Sequence, residues 1–299
     1  WEWGGEGTSH VSSDILYCGP TAFSEPETMA MKNLLDSHHF VSGITYHSYS
    51  ELVLYPFGYA QGMTAPDNAA MSQLAVSMAN TIPGEYGGYY TPQPSWELYS
   101  ASGVTDDYAY GEHGIFSYTI ELGVEFIPPA SDVLPICQKN LTAALLLLDR
   151  VNQSTVTGLV RDANTNLPVV AEVYVNGVDN TGQYREPYES DASFGRYYRM
   201  LVNGNYSITF SAYGYIPQTF NSVNINGTAQ TILNVNLVPA QSVTVSGIVT
   251  DLGTGLPIEG ATIEILDTPV SPVLTNSSGA YTITGVMEGT YNFTVSKID

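Results

Sequence analysis

The chain has 299 residues, 43% of them apolar, enough for two or three domains with ordinary cores. Eight Lys and Arg against 29 Asp and Glu leave a formal net charge of −21, so no basic patch able to grip a phosphate backbone can be assembled, and an anionic bilayer surface would repel the chain. The longest apolar run, Ala143 to Leu148 with its flanks, falls far short of the roughly 20 residues a membrane-spanning helix needs, so nucleic acid and a membrane span are both excluded.

The chain opens Trp1-Glu2-Trp3-Gly4-Gly5 without Met, basic leader or apolar signal core, so further sequence is expected before it. Cys18 and Cys137 are too few for a disulfide scaffold or a cysteine zinc cluster, and the sequence does not decide whether they pair. Ser24-Glu25-Pro26-Glu27 forms a capping-box pattern with Pro in the first turn and predicts a helix to about His38. Val41 to Ser48 reads as extended. After Pro66-Asp67, the spacing of Met71, Leu74, Ala75 and Met78 predicts an amphipathic helix. Gly114 to Leu122 is rich in β-branched and aromatic residues and reads as an inner strand. Leu141 to Leu148, preceded by Ser131-Asp132, is apolar on nearly every side and reads as a buried closing helix.

After Arg150 the pattern changes to short alternating segments between turn residues, with no helix expected. Val156-Thr-Gly-Leu-Val-Arg-Asp162 recurs as Val245-Ser-Gly-Ile-Val-Thr-Asp251, and each copy is followed by Leu-Pro at 167/168 and 256/257. Asn203-Gly-Asn-Tyr-Ser-Ile-Thr-Phe210 recurs as Glu288-Gly-Thr-Tyr-Asn-Phe-Thr-Val295 at a smaller offset, so the second copy has a shorter middle loop. The first copy continues through Ala212-Tyr-Gly-Tyr215 to a final strand at Thr231 to Leu237 that the second does not reach. Twenty-two Tyr, 28 Gly and few Lys suit a secreted protein.

Three segments carry chemistry: Ile44-Thr-Tyr-His-Ser-Tyr-Ser-Glu-Leu-Val-Leu-Tyr-Pro-Phe-Gly-Tyr59, Tyr99-Ser-Ala-Ser-Gly-Val-Thr-Asp-Asp-Tyr108 and Ser117-Tyr-Thr-Ile-Glu-Leu122. In this order and spacing they resemble the zinc carboxypeptidases of the funnelin, or carboxypeptidase A/B, family. The resemblance implies that His47 is a zinc ligand at the end of a strand in a mixed, mostly parallel sheet. It makes Glu121 the general base, Tyr99 the mobile tyrosine over the substrate carboxylate, and Asp106 the floor of a pocket for C-terminal Lys or Arg. Thr119 would line that pocket and Tyr49 the neighbouring subsite. On the residues alone, His47 also reads as a polar strand-end histidine, Glu121 as the polar face of an edge strand, and Asp106 with Asp107 as solvated loop acids.

None of the five His has Glu three residues on, and the first Arg is Arg150. The resemblance therefore implies that the other two zinc ligands, and the arginines that clamp the substrate carboxylate, lie upstream of Trp1, and that the chain alone is inactive. The repeats resemble the transthyretin-like, carboxypeptidase-regulatory modules that follow such catalytic domains. The expected fold is multidomain: a partial α/β carboxypeptidase domain over 1–150, a mixed sheet with helices on both faces, followed by two β-sandwich modules over 153–239 and 243–299, the second incomplete. The expected protein is a secreted zinc enzyme acting on peptide or protein C-termini, with β-modules that pack against other domains or a cell surface. The alternative is a non-catalytic adhesion or scaffold protein with a degenerate peptidase domain.

Overall fold

The structure, a computed structural model, describes residues 1–297; the last two residues of the expected second module lie outside it. The chain forms two compact units: residues 1–160, 168–210 and 219–235 make one, and 161–167, 211–218 and 236–299 the other.

The first unit begins with α1 (Pro26–Ser37), β1 (Ser42–His47), β2 (Leu52–Tyr55), α2 (Asn68–Ala79) and β3 (Thr91–Pro94). A short 3-10 turn at Ser95–Glu97, α3 (Thr105–His113), β4 (Phe116–Glu121) and α4 (Ala130–Arg150) follow. The four strands form one sheet in the order β1-β4-β2-β3, with β4 parallel to β1 and antiparallel to β2, and β2 parallel to β3. Side chains of β4 alternate between two partners, as a pleated strand requires. Tyr118 donates its hydroxyl to the Met71 carbonyl of α2, whereas the Ser117 and Thr119 hydroxyls donate to Asp106 of α3. The sheet is mixed and carries helices on both faces. On the α2 side, Val53, Met71, Leu74, Met78, Tyr118, Ile120, Ala143 and Leu147 build the main core.

Three expectations are corrected here. The first helix has Glu25 in the N-cap position and no side-chain cap, because the Ser24 hydroxyl turns to the Glu25 carboxylate instead. The closing helix is longer than expected and is not buried all round. Only Asn140, Ala143, Leu147 and Arg150, one face at helical spacing, are covered, while Leu141, Leu145 and Leu148 are exposed. Asp106 and Asp107 lie not in a solvated loop but in the first turn of α3, both buried.

Beyond Arg150 the described residues contain strands and no helix. The first unit continues with β5 (Thr155–Asp162), β6 (Glu172–Val175), β7 (Arg196–Met200) and β8 (Gly204–Ser211). After β9 (Tyr215–Ile216) come β10 (Gln218–Ile225), β11 (Thr231–Ile232) and β12 (Val235–Pro239). Within the first unit, β5 pairs with β7 antiparallel and with β11 in parallel, and β8 lies between β10 and β6. Tyr197 of β7 meets Phe210 of β8 edge-on at 5.1 Å.

In the second unit β9 pairs antiparallel with β12. There β13 (Ser242–Ile248) pairs with β16 (Ala280–Met287), and β14 (Thr262–Ile265) lies between β15 (Val273–Leu274) and β17 (Phe293–Ser296). Ile263 and Ile265 of β14 form one core with Ile283 and Val286 of β16, so these two sheets pack face to face.

The sequence repeat is also a repeat of hydrogen bonds. Asp162 and Asp251 each accept two backbone N–H groups just downstream, from Asn164 and Thr165 and from Gly253 and Thr254. Gly195 and Gly279, at φ +69° and +73°, each accept an N–H, from Val160 and Val249. A Cβ on either glycine would lie 2.1 or 2.4 Å from the Val160 or Val249 carbonyl oxygen, so only glycine allows both the turn and the approach. The Tyr206 and Tyr291 hydroxyls each donate to the carbonyl four residues back. Cys18 and Cys137 are both free, and among the described residues no helix is long and apolar enough to cross a membrane.

Candidate active site

His47 is the last residue of β1 and Glu121 the last of β4, and the parallel register places them opposite one another. Two residues earlier the Thr45 and Thr119 hydroxyls meet at 2.7 Å. By strand alternation, His47 and Glu121 lie on the same face as that pair. Asp106 comes to this face from α3, its carboxylate accepting Ser117 Oγ at 2.5 Å and Thr119 Oγ1 at 2.6 Å. One face of the sheet therefore collects His47, Glu121, Thr119 and Asp106. No strand pairing or hydrogen bond among the described residues joins Tyr99 or Tyr49 to this face. Tyr99 stands on the loop before α3 and is 64% exposed, Tyr49 follows β1 and is also exposed, and neither hydroxyl hydrogen-bonds among the described residues.

The electrostatics follow from burial. Glu121 is 6% exposed, and burial raises its pKa above the ordinary carboxylate value while the facing His47 draws it back. Asp106 is 4% exposed and also raised by burial, against the opposing pull of the Ser117 and Thr119 hydroxyls and of His47. Its neighbour Asp107 was given no task by the sequence. Fully buried, Asp107 accepts the Gly58 N–H on both oxygens, at 2.9 and 3.0 Å, and burial pushes its pKa up to about 7. Asp107 thus ties the loop after β2 to the first turn of α3, the turn that carries Asp106. A pair of adjacent acids was the available signal, and only the fold separates their tasks.

A buried carboxylate beside an imidazole, at the parallel ends of two strands, with a second carboxylate two hydroxyls away, is chemically able to move a proton and to pair with a cation. Residues 1–143 match the zinc carboxypeptidase family Peptidase_M14. Residues 1–143 are thus a zinc carboxypeptidase segment. Residues 244–299 match the carboxypeptidase regulatory-like domain. Carboxypeptidase B of Canis lupus familiaris is 35% identical over 144 residues, 46% of this chain and 34% of that protein. Carboxypeptidase O of Homo sapiens is 33% identical over 156 residues, 50% of this chain and 41% of that protein. Carboxypeptidase D of Homo sapiens is 30% identical over 235 residues, 72% of this chain and 16% of that protein, a match reaching into the β-rich part. The chain therefore spans 34% and 41% of the first two of these carboxypeptidases.

The family implies zinc. Its catalytic ion needs about three protein ligands and an open position. Among the described residues no group of three or more His, Cys, Asp or Glu could hold a metal ion. His47 suits one position of such a set, and these residues by themselves do not fit a catalytic zinc carboxypeptidase centre.

Proposed function

We propose that this chain is the part of a zinc-dependent carboxypeptidase that carries one zinc ligand, the general base and the side-chain pocket. The complete protein then removes single C-terminal residues from peptides and proteins, preferring Lys or Arg. The observation that carries this reading is the register of His47 against Glu121 on neighbouring parallel strands, within residues that match zinc carboxypeptidases. The Glu121 carboxylate, with a proton affinity raised by burial, takes the proton of the attacking water and returns it to the leaving amine, and a base poised nearer neutrality serves both transfers. Asp106 supplies the fixed counter-charge for a cationic side chain beside Thr119. Tyr99, free on its loop, closes over the substrate carboxylate, and Tyr49 borders the next subsite.

His47 contributes one zinc ligand; two more, with the arginines that clamp the substrate carboxylate, come from sequence outside these 299 residues. The chain alone is then inactive. Residues 1–150 are the catalytic part, and 153–239 and 243–299 are two transthyretin-like modules with a packing and spacing role. The shared hydrogen bonds of the two copies support that division. The location is extracellular, in keeping with the hydroxyl-rich, lysine-poor composition.

A zinc titration and a carboxypeptidase assay test the reading. The purified chain should bind zinc weakly and release no C-terminal residue. In the complete enzyme Glu121→Gln should lower turnover by about 100- to 10,000-fold with zinc content unchanged, because the residue moves a proton and holds no metal. Turnover by the chain alone, or loss of zinc from Glu121→Gln, overturns it.

A further inference from the structure

Within the first unit, the loop between β6 and β7 lies directly against the carboxypeptidase segment. Gln183 N–H donates to the Thr64 carbonyl and Glu186 N–H to the Gly111 carbonyl of α3, both at 2.7 Å. Gly182, at φ +67°, sits so close that a Cβ would stand 2.4 Å from the Thr64 oxygen. This loop delivers Asp179 and Arg185, and β7 delivers Arg199, to Asp67 at the start of α2. Arg199 Nη2 donates to Asp67 Oδ1 at 3.1 Å and to Asp179 Oδ1 at 2.8 Å, and Arg199 Nη1 donates to Asp179 Oδ2 and to the Val173 carbonyl at 2.7 Å. Arg185 Nη2 donates to Asp179 Oδ1 at 2.5 Å. The two arginine side chains are 4% and 3% exposed, and the four charges cancel. Burial would raise the pKa of Asp179, but the Arg199 guanidinium overrides it and holds the group below the usual range.

The quartet reaches α3 at Tyr110, by its hydroxyl and its ring. Tyr110 OH donates to Asp67 Oδ2 at 2.9 Å and accepts the Asp67 N–H at 3.0 Å, while the Arg185 guanidinium lies 5.9 Å from the Tyr110 ring centre. Tyr110 is one helical turn beyond Asp106 and Asp107. The module fold does not demand these charges. In the register of β5 with β7, Arg199 stands opposite Val156; in that of β13 with β16 the same position, opposite Val245, is Ile283. A buried ion-pair set adds little net stability over apolar packing, so what it contributes here is fixed geometry.

We propose that Arg185, Arg199 and Asp179 are positioning residues for the substrate pocket, acting through Asp67 and Tyr110 to hold α3 and with it the Asp106 carboxylate. This rests on the reading of Asp106 as the pocket floor. The β-rich module is then a working part of the carboxypeptidase, setting specificity without touching substrate.

Two variants test it. Tyr110→Phe removes the hydrogen bonds of the link and keeps the ring and the ion pairs, and Arg199→Ile with Asp179→Asn installs the second repeat's residue while leaving Asp67 Oδ2 3.5 Å from Arg185 Nε. In each, the amides of residues 105–113 should exchange with deuterium about tenfold faster while those of β13 to β16 stay at the wild-type rate, a local loosening that general destabilisation would not produce. In the complete enzyme, kcat/KM for a peptide ending in Arg, relative to one ending in Leu, should fall about tenfold, mainly through KM. Unchanged α3 exchange in both variants overturns the proposal, as does loosened α3 with an unchanged ratio. A wild-type enzyme with no preference for Arg would refute the role of Asp106 instead, and exchange at α3 would then decide whether the clamp exists.

Discussion

Asp106 and Asp107 are adjacent in sequence, equally buried, and differ in what they face. Asp106 is met by two hydroxyls and feels an imidazole; Asp107 is met by the backbone N–H groups of Gly58 and Tyr59 and has Asp106 beside it. Burial pushes the Asp107 pKa up to about 7, the Gly58 N–H restrains it, and Asp106 adds to it. An acid whose folded pKa is raised binds more protons in the folded state than in the unfolded state between the two values. Folding stability therefore falls as pH rises from about 4 to about 7, and the whole penalty is present above that window. The stake is roughly 4 kcal/mol. Asp107→Asn keeps an acceptor for Gly58 and cannot ionise, so its stability relative to wild type should improve steadily over this range. Urea denaturation at several pH values measures the difference, and parallel profiles would show that Asp107 does not carry it. The His47 and Glu121 segments stood out in the sequence by their resemblance, with the Tyr99 segment, to a known family, and Glu121 also as a carboxylate between Ile120 and Leu122. The link from Asp67 to Arg199 did not, because it joins residues 132 positions apart with no local pattern.

At the level of elements, legibility followed periodicity. In α2 the four spaced apolar residues are all buried, and β4 is the inner strand that its β-branched and aromatic content suggests. The sequence of α3, Thr-Asp-Asp-Tyr-Ala-Tyr-Gly-Glu-His, has no apolar stripe, and its Gly111 is explained only by the Trp1 ring, whose Cδ2 would lie 2.5 Å from an added Cβ. β2 is four residues long and buried throughout, too short for alternation to show. The closing helix shows the opposite failure: a run of leucines conceals which of them face the core. Leu147 is 3% exposed and Leu148 64%. In this chain Leu147→Ala should cost about 2–5 kcal/mol and Leu148→Ala less than about 0.5 kcal/mol. Equal shifts in denaturation midpoint would mean that α4 packs on a different face.

Over the whole molecule, charge acts at a range that no single contact does. Residues 1–150 carry 3 basic and 17 acidic side chains, a net of 3 − 17 = −14, so the field of the carboxypeptidase part attracts cationic peptides before any pocket is filled. Such attraction fades as added salt shortens the Debye length from about 10 Å at 0.1 M to about 3 Å at 1 M. A buried counter-charge behaves differently, because solvent ions do not reach Asp106 behind the Ser117 and Thr119 hydroxyls. The two contributions to the proposed preference for C-terminal Arg are therefore separable. In the complete enzyme, raising salt should lower kcat/KM for Arg-ended peptides in wild type and in Asp106→Ile alike, by a similar factor. Only the substitution should reverse the preference towards apolar termini, and at every salt concentration, since a neutral side chain in the wild-type pocket leaves a buried carboxylate without a partner. An Asp106→Ile enzyme that still favoured Arg at 1 M salt would place the selective carboxylate elsewhere in the protein.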